Sequence, residues 1–202
     1  MPGSSLWLVP PPSSPIYKTL QTLIDSIIPS RFPNLQPPHF VPHVTLTSDI
    51  PADLADPQAL LGSIDLPSAG DVVVHFEALD VGEAFVKKLT LRVENDDGGV
   101  GVVELATSCR RKGVEGGDTK KAEEWARKKF MPHCSLLYSG IDLTKVEEKR
   151  EQLLQDLREA GIAVGSKDDK GSINAWTGGS VWFVPTHKSI EEWSPVAKRP
   201  LV

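Results

Sequence analysis

Two histidines carry the chemistry this sequence offers, because each sits in the same short pattern. Phe40-Val41-Pro42-His43-Val44-Thr45-Leu46 and Phe130-Met131-Pro132-His133-Cys134-Ser135-Leu136 share Phe, Pro, His and Leu at equal offsets. A hydroxyl residue follows each histidine by two places. Imidazole has an ordinary pKa near ~6.5, so at neutral pH it can act as base or acid. Two imidazoles on opposite sides of a phosphorus suit in-line displacement. The neutral one takes a proton from the attacking oxygen, and the protonated one gives a proton to the leaving oxygen. Thr45 and Ser135 can donate hydrogen bonds to the non-bridging oxygens. No carboxylate cluster or His/Cys set at ligand spacing asks for a metal. No cofactor is implied either: Gly98 to Gly101 lacks both the full GxGxxG pattern and a P-loop Lys-Ser/Thr.

The elements that position these groups follow from periodicity. After each proline, apolar and polar residues alternate, the period of a half-buried strand. His43 and Thr45 then share one face, with Val44 and Leu46 on the other; His133 and Ser135 share a face with Cys134, Leu136 and Tyr138 behind. A lone histidine in a strand is more often structural than catalytic, and it is the matched pair that reverses this reading. Thr47 shares the face of His43, but its counterpart is Leu137, so it reads as structural. His39 lies four before His43, the spacing of a helical metal pair, but Pro37, Pro38 and Pro42 exclude a helix there. His75 and His187 have no partner in sequence and read as surface or structural residues.

Around the two patterns, strands are expected at Leu6–Val9, Val72–Val81, Lys88–Glu94, Ile162–Ala175 and Ser180–Pro185. Helices are expected from Ser14 through about Ile28, over Ala52–Ile64, over Val100–Cys109 (with a strand the alternative for Val100–Val103) and over Thr119–Lys129. Another runs over Thr144–Ala160, where Thr144 and Glu147 make a capping box and Gly161 follows the end. Arg110 to Asp118 reads as a mobile glycine-rich loop, and Asn95 to Gly99 as a turn. The sum is an α+β fold with mainly antiparallel sheet, flanked by helices around a central cleft. It forms one domain over residues 1–202, with two pseudo-symmetric lobes that each contribute one His-x-Ser/Thr motif.

The chain has 202 residues and a net charge of −5, which argues against gripping a long nucleic acid through its phosphates. A small anion in a local pocket remains compatible with that charge. No run approaches the length of a membrane-spanning helix, and no secretory signal is evident. With two cysteines, Cys109 and Cys134, no disulfide framework is implied. A monomer in the cytoplasm is the expectation. Trp7, Tyr138 and Trp182 are candidates for stacking on a nucleobase.

The doubled His-x-Ser/Thr-Leu resembles the 2H phosphoesterase superfamily. More narrowly, the sequence is similar to the plant and fungal 2',3'-cyclic-nucleotide 3'-phosphodiesterases. Leu6-Trp7-Leu8-Val9-Pro10 resembles that family's opening strand, and Pro132 to Tyr138 its second motif. Glu192-Trp193 with Val196-Ala197 resembles its C-terminal end. The resemblance implies a two-lobed fold with His43 and His133 as catalytic dyad, Thr45 and Ser135 on the phosphate, and Tyr138 and Trp7 lining the pocket. It implies metal-independent hydrolysis of nucleoside 2',3'-cyclic phosphates to nucleoside 2'-phosphates. It also implies hydrolysis of ADP-ribose 1'',2''-cyclic phosphate to the 1''-phosphate, linked to by-products of tRNA splicing. His133 would activate water, and His43 would protonate the leaving oxygen. Two rivals are another 2H activity, on RNA ends or 2',5' linkages, and a non-catalytic nucleotide-binding protein. The sequence departs from the plant members in carrying fewer cysteines.

Overall fold

The computed structural model describes residues 3–94, 101–165 and 173–202. The chain begins with strand β1 (Ser4–Val9), whose six residues are all buried because it lies between two neighbours inside the sheet. Helix α1 (Pro15–Thr22) follows, with the Ser14 hydroxyl accepting from the Tyr17 amide and Pro15 in the first turn, where its missing N–H costs nothing.

The helix was expected to stop near Ile28, but it continues through a π-helical turn (Leu23–Ile27) into α2 (Ile28–Ser30). Pro29 accounts for this. Inside an α-helix its ring would meet the carbonyl four residues back, at Asp25. The wider turn, in which the Ile28 amide bonds the Leu23 carbonyl, makes room for it.

After a loop come β2 (Val44–Ile50), α3 (Pro57–Ser63), β3 (Val73–Val81) and β4 (Leu89–Val93). The second half contains α4 (Val102–Gly113), α5 (Thr119–Lys129), β5 (His133–Leu137), α6 (Leu143–Glu147) and α7 (Arg150–Glu159). It closes with β6 (Ala175–Thr177), β7 (Ser180–Val184) and β8 (Ala197–Pro200). These strands form an eight-stranded sheet in the order β6-β3-β4-β5-β2-β1-β7-β8, with every neighbouring pair antiparallel. The architecture is therefore α+β, as expected.

The two histidine-bearing strands sit side by side at the centre, with three strands on either side. They meet at one pair, Val44 opposite Cys134. Helices cross between the halves: α4 packs on β2, while the helix that precedes β2 packs on β5. Leu6, Leu8, Val44, Leu46, Cys134 and Leu136 point into the main core under the helices. The alternate residues Trp7 and Val9 belong to a second, smaller cluster with Trp182 and Val184. The alternation along β1 thus separates a helix-covered face from the face that carries the site.

Several expectations are corrected. Arg110 to Gly113 lie in α4 rather than in a mobile loop, because their cations find partners: Arg110 pairs with Glu115 at 2.8 Å, and Arg111 pairs with Asp65. The Thr144–Ala160 helix is two helices, divided at Glu148–Lys149. Its cap is Asp142, whose carboxylate accepts the Thr144 amide at 2.8 Å, rather than the Thr144 hydroxyl. Trp176, placed in a connection, is the centre of β6 opposite Val74. Ala197–Pro200, for which no element was expected, forms edge strand β8. The Asn95–Gly99 turn and the middle of the Ile162–Ala175 strand fall outside the described residues.

Candidate active site

The structure brings all six candidate residues to one pocket of about 220 Å³: Trp7, His43, Thr45, His133, Ser135 and Tyr138 all line it. The register explains the convergence. With Val44 opposite Cys134 on antiparallel strands, the same register carried one residue either way sets His43 across from Ser135 and Thr45 across from His133. On the far side of β2, Trp7 is the cross-strand partner of Thr45 and so shares its face.

Each histidine is held the same way. His43 Nδ1 lies 2.7 Å from the Val41 carbonyl, and His133 Nδ1 lies 2.8 Å from the Met131 carbonyl. In both cases the acceptor is the residue before the proline. A carbonyl only accepts, so Nδ1 carries the proton, and Nε2 is left as the nitrogen that can exchange a proton with a ligand. His43 sits just ahead of β2, and His133 is the first residue of β5.

The surroundings of the two imidazoles differ. His43 is buried and stacks on the Trp7 indole, with centroids 3.7 Å apart and planes 10° from parallel. Burial pushes its pKa down to about 4; the Val41 carbonyl opposes this, and the nearby His133 adds to it. His133 is half-buried. Burial lowers its pKa too, the Met131 carbonyl opposes that, Lys87 lowers it further, and Asp80 raises it. Both rings are therefore biased toward the neutral form, His43 under the deeper cover.

The hydroxyls also differ. Thr45 makes no side-chain hydrogen bond among the described residues and is ready to donate. Ser135 donates to the Val86 carbonyl at 2.9 Å, so giving its proton to a ligand means exchanging that partner. Tyr138, expected behind the strand by alternation, lies just past the end of β5 and lines the pocket. It stacks on Phe40 at 3.8 Å, and burial raises its pKa.

Trp182 does not reach the pocket; it packs with Trp7 on the sheet and lies under the Lys198 ammonium, 4.0 Å from the ring centroid. Thr47, read as structural, is buried and lines the site. His39 stays in a loop, 3.1 Å from Asp25, and His187 bonds weakly to Ser4 at 3.4 Å. Sequence reasoning missed Trp193, which sets its edge against Trp7 and Tyr138 at 5.9 and 6.1 Å. It also missed Lys87, Trp125 and Lys129 at the rim. Trp193 carried one usable signal, its place in the C-terminal resemblance; the rim residues carried none. Among the described residues no three His, Cys, Asp or Glu side chains gather as a metal site, and no helix is long and apolar enough to cross a membrane.

The class of protein is thus an α+β fold whose central antiparallel strands present two anchored imidazoles and two hydroxyls to one pocket. Comparison with known proteins gives its family. A family model described as "Cyclic phosphodiesterase-like protein" matches residues 1–201, and the chain belongs to that family. Among its relatives is the 2',3'-cyclic-nucleotide 3'-phosphodiesterase of Neurospora crassa, 39% identical with the whole of both chains covered. The protein of that name from Phaeosphaeria nodorum is 40% identical, again over all of both chains. The one from Saccharomyces cerevisiae is 30% identical over 85% of this chain and 80% of its own.

Proposed function

We propose that this chain is a 2',3'-cyclic-nucleotide 3'-phosphodiesterase. It opens nucleoside 2',3'-cyclic phosphates to nucleoside 2'-phosphates, and ADP-ribose 1'',2''-cyclic phosphate to the 1''-phosphate, by in-line acid–base catalysis without a metal. The reading places it among enzymes that clear by-products of tRNA splicing, acting as a cytoplasmic monomer. The observation that carries it is the pair of histidines, each anchored through Nδ1 to a backbone carbonyl and lining one pocket with Thr45 and Ser135. Relatives of this name at about 40% identity over the full chain support the substrate class.

The dyad works with one proton between two rings. A water lies on one side of the phosphorus and the 3'-oxygen on the other. The neutral imidazole takes a proton from the water as its oxygen bonds phosphorus. The bond from phosphorus to the 3'-oxygen then breaks, and the protonated imidazole supplies that oxygen's proton. Thr45, and Ser135 once released from Val86, steady the non-bridging oxygens as charge builds on them. Family resemblance gives the water to His133 and the leaving oxygen to His43. The deeper burial of His43 favours the opposite allocation, since the ring that resists protonation is the natural base.

The test is hydrolysis of the four nucleoside 2',3'-cyclic phosphates in EDTA, with products identified by phosphorus NMR. The expected result is a 2'-phosphate product at full rate in the chelator. A 3'-phosphate product would reverse the regiochemistry, and a loss in EDTA restored by added metal would overturn the metal-free mechanism. No turnover of any of the four would turn attention to RNA ends and 2',5' linkages.

A further inference from the structure

The tautomer of His43 depends on one carbonyl, that of Val41, and Val41 lies in a stretch with little of its own to hold it. Residues 36–43 come before strand β2 begins, and among the described residues they make no backbone hydrogen bond outside the sheet ladder. The second copy of the motif is held differently. There the Phe130 amide donates to the Trp125 carbonyl at 3.2 Å, closing α5, and the Pro132 carbonyl accepts from the Val93 amide at 3.0 Å. Backbone bonds thus fix both neighbours of Met131, whose carbonyl anchors His133. In the first copy a side chain stands in that place. Gln21, near the end of α1, donates through Nε2 to the Phe40 carbonyl at 3.0 Å and to the Asp25 carboxylate at 2.9 Å. Both neighbours only accept, so both protons of the amide nitrogen are used and the orientation of the amide is fixed. Asp25 lies one turn on, the spacing at which glutamine and aspartate meet on a helix. Its other oxygen is 3.1 Å from Nδ1 of His39, the residue before Phe40. Phe40 itself stacks on Tyr138 at 3.8 Å and meets the His43 ring edge-on, with centroids 6.4 Å apart.

Resting on the phosphodiesterase reading of the site, we propose that Gln21 is a positioning residue for His43, with Asp25 as its support. Holding the Phe40 carbonyl fixes the plane of the Phe40–Val41 peptide. Pro42 confines Val41 to extended conformations, so the next carbonyl, that of Val41, is left with one direction. It keeps the resident proton of the ring on Nδ1 and leaves Nε2 to exchange one with the substrate. Gln21 touches neither the imidazole nor the pocket; it acts through two peptide units. A bond that merely stapled the helix to the loop would cost stability when removed and leave the imidazole as it is.

The experiment is nitrogen NMR of the labelled histidine rings, at a pH where both members of the dyad are neutral, which reports the nitrogen that carries each proton. Steady-state kinetics on a nucleoside 2',3'-cyclic phosphate accompany it. Gln21→Met keeps the length of the side chain and removes both donors. The ratio of Nδ1–H to Nε2–H at His43 is expected to fall about 5-fold, the worth of one ordinary hydrogen bond, while His133 keeps its wild-type ratio. kcat falls roughly 10–100-fold and KM changes little, because alignment is lost rather than contact. Asp25→Ala, at a carboxylate about a third open to solvent, moves the His43 ratio the same way by a smaller factor, and serves as the test should Gln21→Met fail to fold. An unchanged His43 ratio overturns the proposal, even where stability falls. Equal shifts at His43 and His133 overturn it too, since they would mean general loosening rather than a hold on one ring. A wild type with no turnover overturns the phosphodiesterase reading and with it the catalytic purpose of Gln21; the NMR ratio needs no substrate and reports on the hold itself in either case.

Discussion

His43→Asn should flatten the acid side of the stability curve. The Asn amide nitrogen sits close to where Nδ1–H lies, so the hydrogen bond to the Val41 carbonyl is kept while the titrating group is removed. In the native protein, burial holds the His43 pKa at about 4 against an ordinary value of 6.5. The folded state thus resists a proton that the unfolded chain accepts. Between those two values the unfolded chain binds more protons at this site, so stability falls as pH falls. The contribution is whole above pH 6.5 and lost by about pH 4. The linkage relation gives a loss of about 2 kcal/mol between pH 7 and pH 5, and about 3 kcal/mol by pH 4. Urea unfolding of wild type and variant across that range measures it directly. The expected result is that the gap between the two curves closes, or changes sign, by about those amounts on acidification. Parallel curves would refute the claim that His43 is stored neutral beneath Trp7.

His43→Ala or His133→Ala should each lower kcat by roughly 10²–10⁴-fold on a 2',3'-cyclic nucleotide, and near-normal turnover in either would remove the dyad. A pH profile cannot say which ring is the base, because the productive pair carries one proton in either arrangement. A substrate with sulfur in place of the 3'-bridging oxygen can: a thiolate leaves without a proton, so the variant lacking the acid is rescued and the variant lacking the base is not. Rescue of neither variant would mean that protonation of the leaving group is no part of the rate-limiting step. Asp156 is buried and accepts from Arg31 at 2.8 and 2.6 Å and from Gln152 at 3.1 Å, joining the end of the first helix to α7. Asp156→Ala should cost about 1–2 kcal/mol at pH 7, since the half-exposed Arg31 left behind can turn to solvent; no measurable loss in urea unfolding would show the pair to be ornamental.

The site was legible where one local pattern decides both conformation and chemistry. Pro-His followed by alternating residues starts a strand, puts His and Ser or Thr on one face, and does so twice. Helix α5 matched its expected bounds because Asp118 caps it and Phe130 ends it just before Pro132. What escaped depends on partners distant in sequence. Arg110 looked like part of a loosely held loop until Glu115, Asp49 and Trp125 gathered around it. No element was expected at the C-terminus, because Lys198, Arg199 and Pro200 disfavour a central strand; they suit an edge, where such residues discourage pairing with other chains. Lys87 and Lys129 are ordinary surface lysines in the sequence, and only the packing of their two elements at one pocket gives them a common neighbour.

The doubled motif also bears on how like residues come to do unlike work. With Val44 opposite Cys134, the antiparallel register sets each histidine across from the other motif's hydroxyl, and each ring is tied to the carbonyl two residues before it. Symmetry of that kind alone would give two imidazoles of equal basicity, and a shared proton with no preferred owner. The flanking elements break it. β1 lays Trp7 flat over His43, and Trp193 sets its edge against Trp7. The β3–β4 connection leaves His133 half open, with Lys87 and Asp80 acting on it in opposite senses. Burial makes both rings reluctant to charge, His43 under the deeper cover. Unequal cover around matched groups is one way a pair of identical side chains comes to differ in basicity. That difference would vanish if Trp7 were replaced by a residue too small to cover the ring.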